Sequence, residues 1–170
     1  MPSPSKRRTG FSTEYGTRPT VGQGESSAGA GKNCMSAEFV DTNILLYAHD
    51  GGAGKKHERS VELLTRLVEH EAGALSIQVL TEFYSAATKK LGMTSQQAEE
   101  ILIDLGGWII HRPSHADLIR AAHLQRRYKL AWWDALVVNS ATELGCSVLW
   151  SEDLADGQRY RQVTVRNPFR

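Results

Sequence analysis

Four carboxylates in this chain stand where they could do chemistry together: Asp41, Glu82, Asp134 and Asp153. Asp41 closes the apolar pair Phe39-Val40 and is followed by Thr42 and Asn43, a hydroxyl and an amide that can hold a carboxylate in place. Asp153 stands in the same relation to Leu149-Trp150, with Ser151 between them. Acids gathered without a counter-ion are costly, since two unit charges about 4 Å apart repel by about 4 kcal/mol at an effective dielectric near 20. A hard divalent cation removes that repulsion, and oxygen-only ligands select Mg²⁺ or Mn²⁺ over zinc. Each acid also has a plainer use: Asp41 can cap a helix, and Glu82 or Asp134 can be a solvated acid on a helix face.

The acids act as a group only if the fold brings them together, so the elements matter. Phe39-Val40 reads as a short strand running out through Asp41-Thr42-Asn43 into a helix, with a Gly-rich loop over His49 to Gly54. Lys55 to Glu71 is helical by the spacing of Val61, Leu64, Leu67 and Val68. Ala74-Leu75-Ser76 is a brief strand ending in an N-cap, and Ile77 to Leu91 is an amphipathic helix with Glu82 in its second turn. Thr94-Ser95-Gln96-Gln97 has capping-box form and opens another helix. Trp108-Ile109-Ile110 reads as a strand, Ser114 to about Lys129 as a helix, and Trp132 to Leu144 as a helix with Asp134 near its start. Gly145 stops that helix. Cys146 to Trp150 reads as a buried strand, Ser151 to Gln158 as a loop, and Tyr160 to Val165 as a final strand. Strands alternating with helices of ten or more residues predict an α/β fold with a short, mostly parallel sheet. Ligands bind such sheets in the crevice at the carboxyl ends of the strands.

The first 35 residues are of a different composition, rich in Ser, Gly, Thr and Pro, with Lys6, Arg7, Arg8, Arg18 and Lys32 against Glu14 and Glu25. Without apolar periodicity, residues 1–35 read as a disordered basic tail and residues 36–170 as one domain. Met35, just before the first strand, makes an overlong start or an added leader as good an account of the tail as a transit segment. The formal net charge is +1, and setting the tail aside leaves a slightly acidic body. That argues against non-specific coating of nucleic acid while allowing a local basic rim. Nothing is apolar and long enough to span a membrane. Cys34 and Cys146 form no C-x-x-C pair and suit a reducing cytoplasm.

Phe39-Val40-Asp41-Thr42-Asn43, Ser76 through Glu82-Phe83, Trp133-Asp134-Ala135-Leu136-Val137 and Leu149-Trp150-Ser151-Glu152-Asp153-Leu154 together resemble the four acidic motifs of the PIN domain. The likeness is to the VapC toxins of toxin–antitoxin pairs, and Asp156-Gly157-Gln158 and Asn167-Pro168-Phe169 extend it. It covers nearly everything from Met35 onward; the long N-terminal tail departs from it. The resemblance implies a three-layer PIN-like fold with helices on both faces of the sheet. It also implies a Mg²⁺- or Mn²⁺-dependent endoribonuclease, a homodimer, and inhibition by a small VapB-type antitoxin. On this reading Asp41, Glu82, Asp134 and Asp153 are the metal-holding catalytic residues, supported by Thr42, Asn43 and Ser151. The metal would activate a water for in-line displacement at an RNA phosphodiester.

Two other classes compete. One is a PIN-like module that only binds, against which the intact quartet argues; a PIN nuclease outside toxin–antitoxin systems also stays open. The other is an aspartyl-phosphate enzyme or receiver using Asp41, but Asn43 replaces the second Asp of the phosphatase signature and Glu82 is left without a role. The six histidines show no paired ligand spacing and read as surface or helix-flank residues. Of Trp132 and Trp133, one is expected in the core and the other on a partner surface. Arg126, Arg127 and Lys129 read either as a solvated helix end or as a phosphate-binding rim.

Overall fold

A computed structural model describes residues 37–170; the expectations for the tail, Cys34, Met35 and Ser36 lie outside the described residues. In chain order the elements are β1 (Glu38–Val40), α1 (Thr42–His49), α2 (Lys55–Glu69), β2 (Gly73–Ser76), α3 (Ile77–Lys90), α4 (Ser95–Leu105), β3 (Ile109–His111), α5 (His115–Tyr128), α6 (Trp132–Glu143), β4 (Val148–Trp150), β5 (Arg159–Tyr160) and β6 (Val163–Arg166). The sheet order is β3-β2-β1-β4-β6-β5, with every pairing parallel except β5 with β6. The fold is therefore mixed α/β on a mostly parallel sheet.

Right-handed crossovers decide where the helices go. From β1 the chain steps to β2 and β3 in one direction, so α1 to α4 cover one face. From β3 it returns past β1 to β4, which carries α5 and α6 across the other. A central strand covered on both faces must be apolar throughout, and Phe39 and Val40 of β1 are fully buried. Helix α2 buries Leu63, Leu64 and Leu67 and turns its charged residues outward. Helix α6 is buried from Ala135 to Thr142, as befits an element between the sheet and α5.

Local chemistry sets the helix starts. The Ser76 hydroxyl accepts from Val79 N at 3.3 Å, so β2 turns directly into α3. Thr94 and Gln97 form the expected capping box. The Asp117 carboxylate accepts both the N–H and the O–H of Ser114 at the start of α5. At Gly73 an added Cβ would stand 2.3 Å from the Trp108 ring, so the close approach of ring to strand needs glycine.

Three expectations need correction. Trp108 packs over Gly73 ahead of β3, which runs from Ile109 to His111. Strand β4 begins at Val148 rather than Cys146, because the Cys146 N–H is taken by Ala141 O at the end of α6; Ser147 already bonds to the flanking segments through Ala37 O and Thr164 N. The single final strand is a hairpin: Tyr160 faces Val163 across a turn at Arg161-Gln162, with Arg161 in the left-handed region at φ 55. Among the described residues, no helix is long and apolar enough to cross a membrane.

Candidate active site

The direction of strand addition reverses between β1 and β4, the place where open α/β sheets form a ligand crevice. Asp41 emerges at the end of β1 and is also the N-cap of α1, its Oδ1 accepting from Thr42 N at 2.7 Å. The plain use of Asp41 is thus met by one oxygen. Its other oxygen, Oδ2, accepts from the Ser151 hydroxyl at 2.6 Å and from Asn43 Nδ2 at 3.3 Å.

Ser151 also receives the backbone N–H of Asp153 at 3.2 Å, shaping the loop after β4. The same Asn43 amide that reaches Asp41 donates to Asp153 Oδ2 at 3.0 Å. One side chain therefore bridges the acids of the two central strands. Glu82 joins from α3: its Oε2 accepts from Thr42 Oγ1 at 3.0 Å and its Oε1 from Gln78 Nε2 at 2.9 Å. Gln78 donates as well to the Trp133 carbonyl at 3.4 Å, linking α3 to the first turn of α6, where Asp134 lies.

Asp134 is joined to the group through charge. Burial raises its pKa above the ordinary carboxylate value, and the negative charges of Asp153 and Glu82 raise it further. Burial is also the largest influence on Asp41, which is 8 % exposed. The Ser151 and Thr42 hydrogen bonds oppose that rise while the charges of Asp153 and Asp134 add to it, leaving Asp41 at about 6. All four predicted acids, together with Thr42, Asn43 and Ser151, thus lie at one end of the sheet, with Asp134 making no hydrogen bond to the others among the described residues.

The donor set is entirely oxygen, the chemistry of a hard cation. Asn43 Oδ1 and Gln78 Oε1 are buried acceptors without hydrogen-bond partners among the described residues. These features fit a divalent ion. Among the described residues, however, no three His, Cys, Asp or Glu side chains stand close enough together to hold an ion as they are.

Several positioning contacts were not anticipated. Gln78 lies one helical turn before Glu82 on the same face, a spacing visible in sequence. Glu152, next to Asp153, accepts from Tyr47 Oη at 2.7 Å and pairs with Lys56 Nζ. Lys56 lies over the Tyr47 and Phe169 rings, 4.6 and 5.5 Å from their centroids. Contacts spanning 96 and 105 residues leave no local signal.

The expectation that the histidines are surface residues fails at His111. Its Nδ1 is 2.9 Å from the Ser140 hydroxyl and its Nε2 is 3.6 Å from Asp117, in a largely buried polar cluster. His49 is the last residue of α1, but its ring packs 5.4 Å from Phe83 and burial lowers its pKa. The two tryptophans differ in burial: Trp132 is partly buried against the small cluster of Ala121, Ala135 and Leu136, while Trp133 is 59 % exposed.

Residues 39–156 match the family model of the PIN domain. No curated protein matches the sequence. Among solved structures, a toxin–antitoxin complex from Klebsiella pneumoniae aligns with TM-score 0.58 and 22% identity, covering 78% of this chain and 98% of that one. VapBC2 from Rickettsia felis, bound to a DNA fragment from its promoter, aligns with TM-score 0.57 and 18% identity over 77% and 98% of the two chains. Mycobacterium tuberculosis VapC20, a sarcin–ricin loop cleaving toxin, aligns with TM-score 0.54 and 17% identity over 66% and 87%. At these identities the likenesses establish the fold.

Proposed function

This chain belongs to the PIN domain family, and we propose that it is a divalent-metal-dependent endoribonuclease, the toxin of a toxin–antitoxin pair. The observation that carries the reading is the Asn43 amide bridging Asp41 and Asp153, with the charge of Asp134 felt at Asp41 and that of Glu82 felt at Asp134. Asp41, Glu82, Asp134 and Asp153 would hold one or two Mg²⁺ or Mn²⁺ ions, drawing closer to do so. Bound there, the ion supplies Lewis acidity to a phosphate oxygen and acidifies a water.

The protein's own groups do the positioning. Asn43 fixes the separation of Asp41 and Asp153, and Thr42 and Gln78 hold both oxygens of Glu82. The Ser151 hydroxyl and the Thr42 N–H both oppose the rise that burial imposes on the pKa of Asp41 and so favour its ionised form. Asp134, part-exposed at the first turn of α6, is the acid free to turn toward ion or water. An all-carboxylate site supports attack by water, with no covalent protein nucleophile.

The partners follow from the same reading: RNA as substrate, a small VapB-type antitoxin as inhibitor, a second copy of the chain as homodimer partner, and a cytoplasmic setting. Solved relatives that are toxin–antitoxin complexes support the antitoxin.

The test is cleavage of RNA by the purified chain with Mg²⁺, with Mn²⁺ and with EDTA. Cleavage should need the metal and fall by a factor of roughly a hundred or more in Asp41→Asn and in Asp134→Asn, the scale of one lost preorganised electrostatic contact. The double variant should be little worse than either single, since both disable one device. Cleavage that persists in EDTA or in these variants overturns the reading.

A further inference from the structure

A cavity of about 340 Å³ opens beside Asp134 and Asp153, between the α5–α6 junction and the loop that leads from β4 to β5. Its volume is at the lower end of small-ligand pockets and suits one nucleotide. Two tyrosines form an aromatic wall: Tyr128 and Tyr160 meet edge to face at 4.9 Å with an interplanar angle of 88°. Tyr160 is 3 % exposed, so the wall is anchored in the core, while Tyr128 is only half-buried. Gln158 lies across from them. Its Nε2 is engaged by the Arg159 carbonyl at 3.1 Å, and its main chain is held by Ala155 O and Val165 N. Gln158 is exposed and lines the cavity, and its amide oxygen has no hydrogen-bond partner among the described residues.

Lys129 is the feature that calls for a ligand. It ends α5 in the left-handed conformation, φ 56 and ψ 38, which glycine adopts without steric cost and lysine does not. Glu71 and Arg161 share that conformation, but of the three only Lys129 lines this cavity, and backbone strain beside a candidate site points to a use for the side chain. Its ammonium has no ion-pair or hydrogen-bond partner among the described residues, although it lines the same cavity as two carboxylates. The Arg127 guanidinium lies 5.3 Å from the Tyr128 ring centroid and adds a cation against that ring. A cavity with an aromatic wall, an amide and an unpaired cation has the chemistry of a single unstacked nucleotide: base on ring, phosphate on ammonium.

We infer that this cavity is the subsite for the nucleotide flanking the cleaved phosphodiester in single-stranded RNA. Lys129 holds the phosphate, the part-exposed Tyr128 ring, backed by Tyr160, carries the base, and Gln158 contacts its edge. The inference rests on the nuclease reading, deepens it to a substrate form, and sets an unpaired cation beside the acidic centre.

Binding rather than cleavage tests it. The probes are fluorescein-labelled eight-nucleotide oligomers of U, A, C and G, titrated with Mg²⁺ present against the full chain carrying Asp41→Asn, over a range of KCl concentrations. Adding Lys129→Gly should weaken binding roughly three- to tenfold and reduce the slope of log affinity against log salt by about 0.7, the loss of one single-strand phosphate contact. The same substitution relieves the left-handed strain, so its melting temperature should be equal or higher, which excludes unfolding as the cause. Gln158→Ala should flatten whatever preference the parent shows among the four oligomers. Unchanged affinity and salt slope in the Lys129→Gly protein overturn the subsite while leaving the nuclease reading intact. No binding of any oligomer by the parent, together with no metal-dependent cleavage by the unsubstituted chain, overturns both.

Discussion

Ser151 donates its hydroxyl to Asp41 Oδ2 at 2.6 Å across 110 residues of chain, and the serine is wholly buried. This single contact ties the loop after β4 to the end of β1 and holds down the pKa of a carboxylate that burial pushes up. Hydrogen bonds to charged groups contribute about 1.5–3 kcal/mol. Ser151→Ala should therefore cost about 2 kcal/mol in urea unfolding of the metal-free protein at pH 8. It should also raise the pKa of Asp41 further, so RNA cleavage should fall more at pH 6 than at pH 8. A uniform loss at both pH values would separate Ser151 from the ionisation of Asp41.

The pairing of Glu152 with Lys56 and Tyr47 makes a different prediction, because it positions Asp153 without touching it. Glu152→Gln or Lys56→Met should loosen the loop that carries Asp153, raising the Mg²⁺ concentration needed for half-maximal cleavage severalfold. Activity at saturating Mg²⁺ should largely return. The double variant should match the worse single, since both break one contact. A Mg²⁺ titration of cleavage decides it. An unchanged midpoint with only a lowered melting temperature would reduce the group to a structural clamp.

The acids were legible because each lies at a strand end or in an early turn of a helix, where a few neighbouring residues fix the local conformation. Asp41 after Phe39-Val40 and the Ser76 cap ahead of Glu82 are of this kind. The capping box at Thr94 was equally local. What could not be read depends on distant partners or on strain. Arg161 takes a positive φ without being glycine, so nothing local marked the hairpin between β5 and β6. The start of β4 depends on which strands flank it, and the Glu152 contacts depend on packing α1 and α2 beside the β4 loop. His111 read as a surface or helix-flank residue, because only the packing of α5 and α6 brings Asp117 and Ser140 to it.

Beside Glu82 and Thr42, a groove of about 900 Å³ runs between α3 and the starts of α5 and α6. Ile77, Leu118 and Trp133 on it are 43%, 41% and 59% exposed. Contiguous exposed apolar side chains of this size mark interaction surfaces, and the proposed occupant is a second copy of the chain. Light scattering at micromolar concentration should give a dimer mass for the unsubstituted protein. Ile77→Glu and Leu118→Arg should each give a monomer with little change in melting temperature, because neither side chain supports the core. A monomeric unsubstituted protein that still cleaves RNA would count against the dimer.

The burial of Asp41 predicts a pH dependence of stability with a definite sign. Its pKa is about 6 in the folded chain against an ordinary 3.8. Between those values the folded state keeps a proton that the unfolded state has released. Stability in EDTA should therefore fall as pH rises from about 4 to 6, by up to about 3 kcal/mol, and then level off. Asp117 acts in the opposite sense: its hydrogen bonds, the Ser114 hydroxyl first, hold its pKa below the ordinary value, so its contribution is lost only as pH falls below about 4. The two effects together place the stability maximum of the metal-free protein near pH 4. Asp41→Asn should flatten the descending limb and raise stability above pH 6, leaving only the smaller slope due to Asp134. Excess Mg²⁺ should act like the substitution, raising the melting temperature of the unsubstituted chain more at pH 7 than at pH 5, since only the ionised carboxylates bind it. Urea unfolding at half-unit pH steps, with EDTA and with Mg²⁺, reads both effects. A descending limb as steep in Asp41→Asn as in the unsubstituted protein would show that the buried carboxylate is not its source.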